Sequence, residues 1–271
     1  MRLIMPSVRE CWATLSDRAH RRSCTLVKKL PSHIERAAPW WIFLVLAIAI
    51  LKMATAIIPP TNFSQFADMF LIYALLTLSP VFAWRLAIAA YPAGHRIDQP
   101  QFRFAKLGRW HGLDRGSASR HPLFGPTGMM ASLLVGIILN VPVRSFEFML
   151  AVPAMHSAMP DWGQAIFLAM AFDAIAMNFL YAMCFVMALR AVPLFPRMLL
   201  AVWMIDIALQ LGIAKSVAAN PDLPATVVAP LADLLEGNLT KVFISITVWL
   251  PYLLLSERVN VTYRHRAAIA A

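Results

Sequence analysis

The sequence predicts an all-α fold: a polytopic transmembrane helix bundle of about six spans, with both termini cytoplasmic. Three observations carry that expectation. The chain is 60% hydrophobic and only 14% charged, with a mean hydropathy of +0.65, whereas a soluble domain is normally about a quarter charged. Six apolar runs approach the ~20 residues that cross a bilayer. The positive charges are sorted to one side of those runs.

The first run, 40–58, ends at Pro59 and Pro60. The second is 66–84, with Pro80 as a kink. The third, 128–143, is short, and 145–155 continues apolar as a segment lying along the interface. The fourth is 164–189 and the fifth 198–213. The sixth, 242–255, contains Pro251. Proline is tolerated in such helices because neighbouring groups satisfy the freed carbonyls.

Twenty of the 24 Lys and Arg fall on one face of this six-span map. The tail contributes Arg2, Arg9, Arg18, Arg21, Arg22, Lys28, Lys29 and Arg36. The loop after the second span contributes Arg96, Arg103, Lys106, Arg109, Arg115 and Arg120, with Arg85 at its edge. The turn after the fourth span adds Arg190 and Arg197, and the C-terminus Arg258, Arg264 and Arg266. Arg144, Lys215 and Lys241 read as the opposite face, and Lys52 lies within a span. The positive-inside rule makes the crowded face cytoplasmic.

The organisation expected is therefore a basic amphipathic cytoplasmic tail over 1–39, a two-span hairpin over 40–92, a basic cytoplasmic loop over 93–125 and a four-span membrane domain over 126–271. The tail spaces Val8, Trp12, Leu15, Ala19, Leu26 and Leu30 helically between basic residues, a pattern suited to a helix lying on a membrane surface or to a partner helix. On the other face, 225–235 reads as a short amphipathic helix near Asp222, Asp233 and Glu236. Asn238 begins a sequon too close to the sixth span to suit a glycan.

The net charge of +10 follows from this topology and from attraction to anionic lipid headgroups. With no recognised nucleic-acid module, nucleic acid is not an expected partner. Cys11, Cys24 and Cys184 make no disulfide framework or zinc spacing. Enzyme signatures are absent from the sequence: there is no His-Glu-x-x-His, Gly-x-Ser-x-Gly or P-loop. No catalytic residue, metal ligand or cofactor is therefore assigned. His111, Asp114 and His121 in one loop and His156 and Asp161 in another are the groups that acid–base or metal chemistry would use. Solvated loop histidines are the plainer reading. The stretch 108–122 mixes glycines with Arg109, Arg115 and Arg120; such a stretch makes either an anion-binding nest or a flexible basic loop.

Three ionisable residues break the membrane pattern. Lys52 lies ~9 Å from the outer end of its span, Asp173 ~13 Å and Asp206 ~12 Å. Each costs about 2.5–3.5 kcal/mol at a helix centre. A short turn joins the fourth and fifth spans, so the two aspartates can face each other at one level. Gln210 shares a helical face with Asp206, and Asn178 and Tyr181 add polar atoms. Three readings are open: Lys52 neutralises the carboxylates and fixes the bundle, the carboxylates share a proton as in a proton-coupled carrier, or the three never meet.

The C-terminal run carries Tyr252, Ser256, Arg258, Val259, Thr262 and Tyr263. It resembles the closing signature of a bacterial inner-membrane family, domain of unknown function 2569. The Leu-Asn-Val-Pro-Val-Arg run ending at Arg144 is similar to that family's first helix. The resemblance covers about 125–265 and implies a four-span membrane unit in a bacterial inner membrane, with the first two spans as an addition. It names no catalytic residue. Independently of it, Arg258 suits the C-terminal end of a helix dipole and the headgroup level. That makes it either an anchor or, with Arg109, Arg115 and Arg120, an anion contact. The partners expected are membrane lipids with anionic headgroups, and a membrane-protein partner or second copy. The function expected is that of a non-enzymatic membrane component or accessory protein. The alternatives are a small proton-coupled transporter using Asp173 and Asp206, or a membrane enzyme acting on a lipid or isoprenoid.

Overall fold

The computed structural model describes residues 8–56, 58–94, 98–100, 108–219, 221 and 223–269, with backbone alone at 8–20 and at 225. Asp222, Arg2, Arg96, Arg103 and Lys106 lie outside the described residues. The fold is an all-α bundle. Its helices are α1 (Val8–Ala54), α2 (Phe63–Ala90), α3 (Arg115–Arg120), α4 (Met129–Ala151), α5 (Asp161–Leu189), α6 (Phe195–Ala218), α7 (Ala225–Leu255) and α8 (Glu257–Arg264). Two short strands, β1 (Trp110–Gly112) and β2 (Arg266–Ala268), complete it. Six helices are long and apolar enough to cross a membrane: α1, α2, α4, α5, α6 and α7.

Several boundaries differ from the sequence expectation, each for a physical reason. The tail and first span form one helix, because nothing between Val8 and Ala54 breaks the helical spacing except Pro31 and Pro39, which the helix absorbs. That helix stops at Ala54, before Pro59. The third span does not end at Val143: α4 runs through Pro142 and Arg144 to Ala151, taking in much of the segment expected to lie along the interface. The sixth span absorbs the short helix expected over 225–235, so α7 is one 31-residue helix, ~46 Å long.

Local chemistry sets the ends. The Asn62 side chain accepts from the Gln65 N–H, and the Gln65 side chain accepts from the Thr61 N–H, so the two residues cap α2 reciprocally. At the end of α5, Ala191 adopts φ 52°. The Val192 N–H then reaches the Met187 carbonyl and the Ala191 N–H the Ala188 carbonyl, the paired bonds of a Schellman stop. This stop makes the tight turn that sets α5 and α6 side by side. Asp114 caps α3, and hydrogen bonds from the Ser117 hydroxyl and backbone N–H hold its carboxyl below the usual range.

The segment expected to be a flexible basic loop is ordered where it is described. β1 pairs antiparallel with β2, with His111 opposite Ala267. His265, at φ 47°, turns the chain out of α8 into β2. This ribbon lies on the face that carries the end of α2, the α5–α6 turn and α8, the basic face of the sequence map.

α5 is the central helix and packs on α2, α4 and α6, while α7 packs on α6 and α1 on α2 and α4. The buried side chains form two apolar clusters. One, toward the basic face, holds Trp84, Leu134, Phe185, Phe195, Trp203 and Tyr263. The other, toward the opposite face, holds Met53, Met69, Tyr73, Phe148, Phe167 and Ile213. Between them, on α4, α5 and α6, lies a layer of buried polar groups.

Candidate functional site: a buried Asp–Arg–Asp triad

The polar layer is built on Arg144. Its Nη1 donates to Asp173 Oδ2 at 2.7 Å. Its Nη2 donates to both Asp206 oxygens, at 2.8 and 2.7 Å. One guanidinium therefore holds two carboxylates from two other helices. Asp206 is 0% exposed and Asp173 2%. Counted from the ends of α5 and α6 opposite the basic face, both lie ~18 Å deep. Arg144 lies ~10 Å from the end of α4, and its long side chain covers the difference in level.

Each carboxylate accepts one further hydrogen bond. The Tyr181 hydroxyl donates to Asp206 Oδ2 at 3.0 Å, and Gln210 Nε2 donates to Asp173 Oδ1 at 3.0 Å. Asn238 Nδ2 donates to Gln210 Oε1 at 3.3 Å, which brings in α7. Lys241 Nζ reaches Asn238 Oδ1 at 3.4 Å and pairs with Glu147. The result is a continuous polar chain from the half-exposed Lys241–Glu147 pair to the fully buried Asp206. It uses only α4, α5, α6 and α7.

The structure brings some of the residues singled out in the sequence together and leaves others apart. Asp173, Asp206 and Gln210 do meet, on the helical faces expected of them. Lys52 does not join them. Its Nζ donates to the Met149 carbonyl, in the last turn of α4, where carbonyls lack helical partners and a cation suits the dipole. The reason is length: α1 ends at Ala54, so Lys52 sits two residues from the helix end rather than within the span. Asn178 is buried at the same layer but donates to Ser145 Oγ at 2.8 Å, and its Oδ1 has no hydrogen-bond partner among the described residues. Arg144, expected on the far face, is the counter-ion. Asn238 is buried inside α7 rather than in a loop.

Lys52→Met is expected to lower stability by only about 0.5–1 kcal/mol, the scale of one hydrogen bond and a helix-end charge. Thermal unfolding in detergent checks this. A loss as large as that for Arg144 would place Lys52 in the charge layer after all.

Space at the triad is limited. A crevice of about 20 Å³, lined by Asn140, Arg144, Glu147, Tyr181, Asn238 and Lys241 among others, opens beside the guanidinium. It is large enough for about one water.

The four arginines expected to contact anions lie apart on the basic face. Arg258 Nη1 donates to Thr127 Oγ1 at 2.5 Å and to the Leu123 carbonyl at 3.3 Å, which ties α8 to the segment entering α4. Thr262 Oγ1 accepts from the Gly125 N–H, and the Tyr263 hydroxyl donates to the Ala188 carbonyl at 2.8 Å. The C-terminal run therefore anchors the ends of α4 and α5. Arg115 lines a separate cavity with Asp98 and His265. Arg120 folds back toward Asp114, and the Arg109 carbonyl accepts from the Ile269 N–H. The loop histidines stabilise turns: His121 Nδ1 accepts from the Leu123 N–H, and His156 Nδ1 from the Ala158 N–H. Among the described residues no group of three or more His, Cys, Asp or Glu is placed to hold a metal ion.

Comparison of the chain with known protein families, curated proteins and solved structures finds no match.

Proposed function

We propose that the chain is a non-enzymatic, multi-pass component of a bacterial inner membrane, with both termini in the cytoplasm, whose Asp–Arg–Asp triad clamps the last four spans into one unit. The observation that carries this reading is the fork: one buried guanidinium holds carboxylates from two other helices, and the adjoining crevice has room for about one water. A buried ion pair is weak support for stability as such, since desolvation offsets the attraction. Its better use is specification, because each mispacking of the helices strands a charge in hydrocarbon. Orientation follows from the crowding of Lys and Arg on the face with the termini.

One observation favours a second reading, a proton-coupled carrier. The triad sets two carboxyl groups against one guanidinium, so it has one carboxyl in excess that can take up or release a proton, and a polar chain links it to the Lys241–Glu147 pair. The two readings separate in proteoliposomes with an imposed pH gradient and a trapped pH dye. The clamp predicts that wild type and Asp206→Asn both hold the gradient as empty liposomes do. A wild type that collapses it, with Asp206→Asn restoring it, would overturn the clamp as the whole function and favour the carrier.

A further inference from the structure

We propose that the cavity on the basic face, between the first turn of α6, the end of α7 and α8, binds the phosphate headgroup of an anionic glycerophospholipid. The cavity measures about 280 Å³, and its lining combines Arg197 and Arg264 with Leu200, Leu250 and Leu254. Cationic and apolar side chains on one cavity match what a phospholipid presents. The arginines take the phosphate, and the leucines of α6 and α7 take the start of an acyl chain. The volume is at the small end of ligand sites and suits a headgroup with its glycerol rather than a whole lipid.

Charge and hydrogen-bonding capacity support the assignment. Arg264 Nη1 is committed to the Leu253 carbonyl at 2.8 Å and to Asn260 Oδ1 at 3.1 Å. These bonds fix the guanidinium at the cavity wall and leave its Nη2 and Nε to donate to a ligand. Asn260 Oδ1 also accepts from Arg266 Nε at 2.7 Å, so three cationic groups gather here. Burial, with Arg266 and Arg197 nearby, pushes the Arg264 guanidinium down to about 10. It keeps its charge at neutral pH, and an incoming anion relieves the mutual repulsion. Arg197 lies in the first turn of α6, where the helix dipole also favours an anion. Planar guanidinium forks match phosphate oxygens bidentately. Basic pockets between spans at the cytoplasmic boundary suit anionic headgroups. The site is independent of the triad, so it stands or falls separately from the clamp.

The test uses the full chain, delipidated in a neutral detergent, with binding of dioleoylphosphatidylglycerol followed by native mass spectrometry and by the shift in melting temperature. Phosphatidylglycerol is expected to bind and stabilise, and phosphatidylcholine to do neither. Arg197→Gln is expected to weaken binding about fivefold, and Arg197→Gln with Arg264→Gln on the order of twentyfold. Arg197→Lys should keep most of the affinity. Because Arg264 also holds α8, the single Arg197→Gln variant is decisive, with the lipid-induced shift read against that variant's own lipid-free melting temperature so that loss of binding is separated from loss of stability. Leu254→Trp, which enlarges an apolar side chain of the lining, should weaken lipid binding while sparing the arginines. Equal binding of phosphatidylcholine, unchanged affinity in Arg197→Gln, or unchanged affinity in Leu254→Trp would each overturn the proposal. Millimolar inorganic phosphate reproducing the full stabilisation would also overturn it, by assigning the cavity to a free anion.

Discussion

Arg144→Met is expected to destabilise the bundle by about 3–5 kcal/mol, the cost of removing one partner from a buried ion network. The substitution roughly keeps the side-chain volume but leaves two carboxylates in the interior without a counter-charge. Protonating both is the alternative, and it still discards three charge-assisted hydrogen bonds. Arg144→Lys should fall between wild type and Met. A lysine keeps the charge, but it is a point charge without the planar fork that holds both carboxylates here. Thermal unfolding in detergent, read by the loss of helical circular dichroism, checks the series. Equal stability of wild type and Arg144→Met would mean that the triad bears no structural load.

The second large effect is expected at Tyr263. Its side chain is fully buried, its ring lies 5.0 Å from that of Phe195, and its hydroxyl donates to the Ala188 carbonyl. It therefore joins α8 to both sides of the α5–α6 turn. Tyr263→Ala should cost about 3–5 kcal/mol, the range for deleting a buried aromatic. Tyr263→Phe should cost only about 1 kcal/mol, for the single hydrogen bond. The ratio between them separates packing from hydrogen bonding. If the two variants lose the same amount, the hydroxyl and not the ring secures the turn.

These two sites differ in how far the sequence discloses them. The six spans and the sorting of charge are legible because both are composition effects that act over many residues. Asp173 and Asp206 stand out because a carboxylate deep within an apolar run is costly wherever it points. Gln210 follows from helical spacing. Arg144 is hidden by a boundary error. Pro142 and a charge together look like the end of a span, although 16 residues are too few to cross the ~20-residue thickness. That shortfall is the one signal in the sequence that α4 continues past Arg144 and brings a guanidinium toward the level of the aspartates. Lys52 misleads in the opposite sense, because Ala56 and Ile58 extend the apolar run although the helix ends at Ala54. The link from Asn238 to Gln210 depends on a helix boundary 13 residues before Asn238, and the short amphipathic pattern there gives no sign that it continues into the span. Tyr263 is visible as a member of a C-terminal run, but its packing on Phe195 depends on a tertiary contact 68 positions away that no local pattern encodes.

The account rests on Arg144 being the counter-ion of both aspartates, and one comparison tests that directly. Arg144→Met is combined with Asp173→Asn and Asp206→Asn, and the triple variant's unfolding is measured beside Arg144→Met alone. Without buried charge there is nothing to strand, and the two amides keep Tyr181 and Gln210 beside them as hydrogen-bond donors, so the cost of an unpaired buried charge is removed. The triple variant should therefore recover most of the loss. A triple variant as unstable as Arg144→Met would contradict the account, because the damage would then come from lost packing at position 144 and not from two carboxylates left without their arginine.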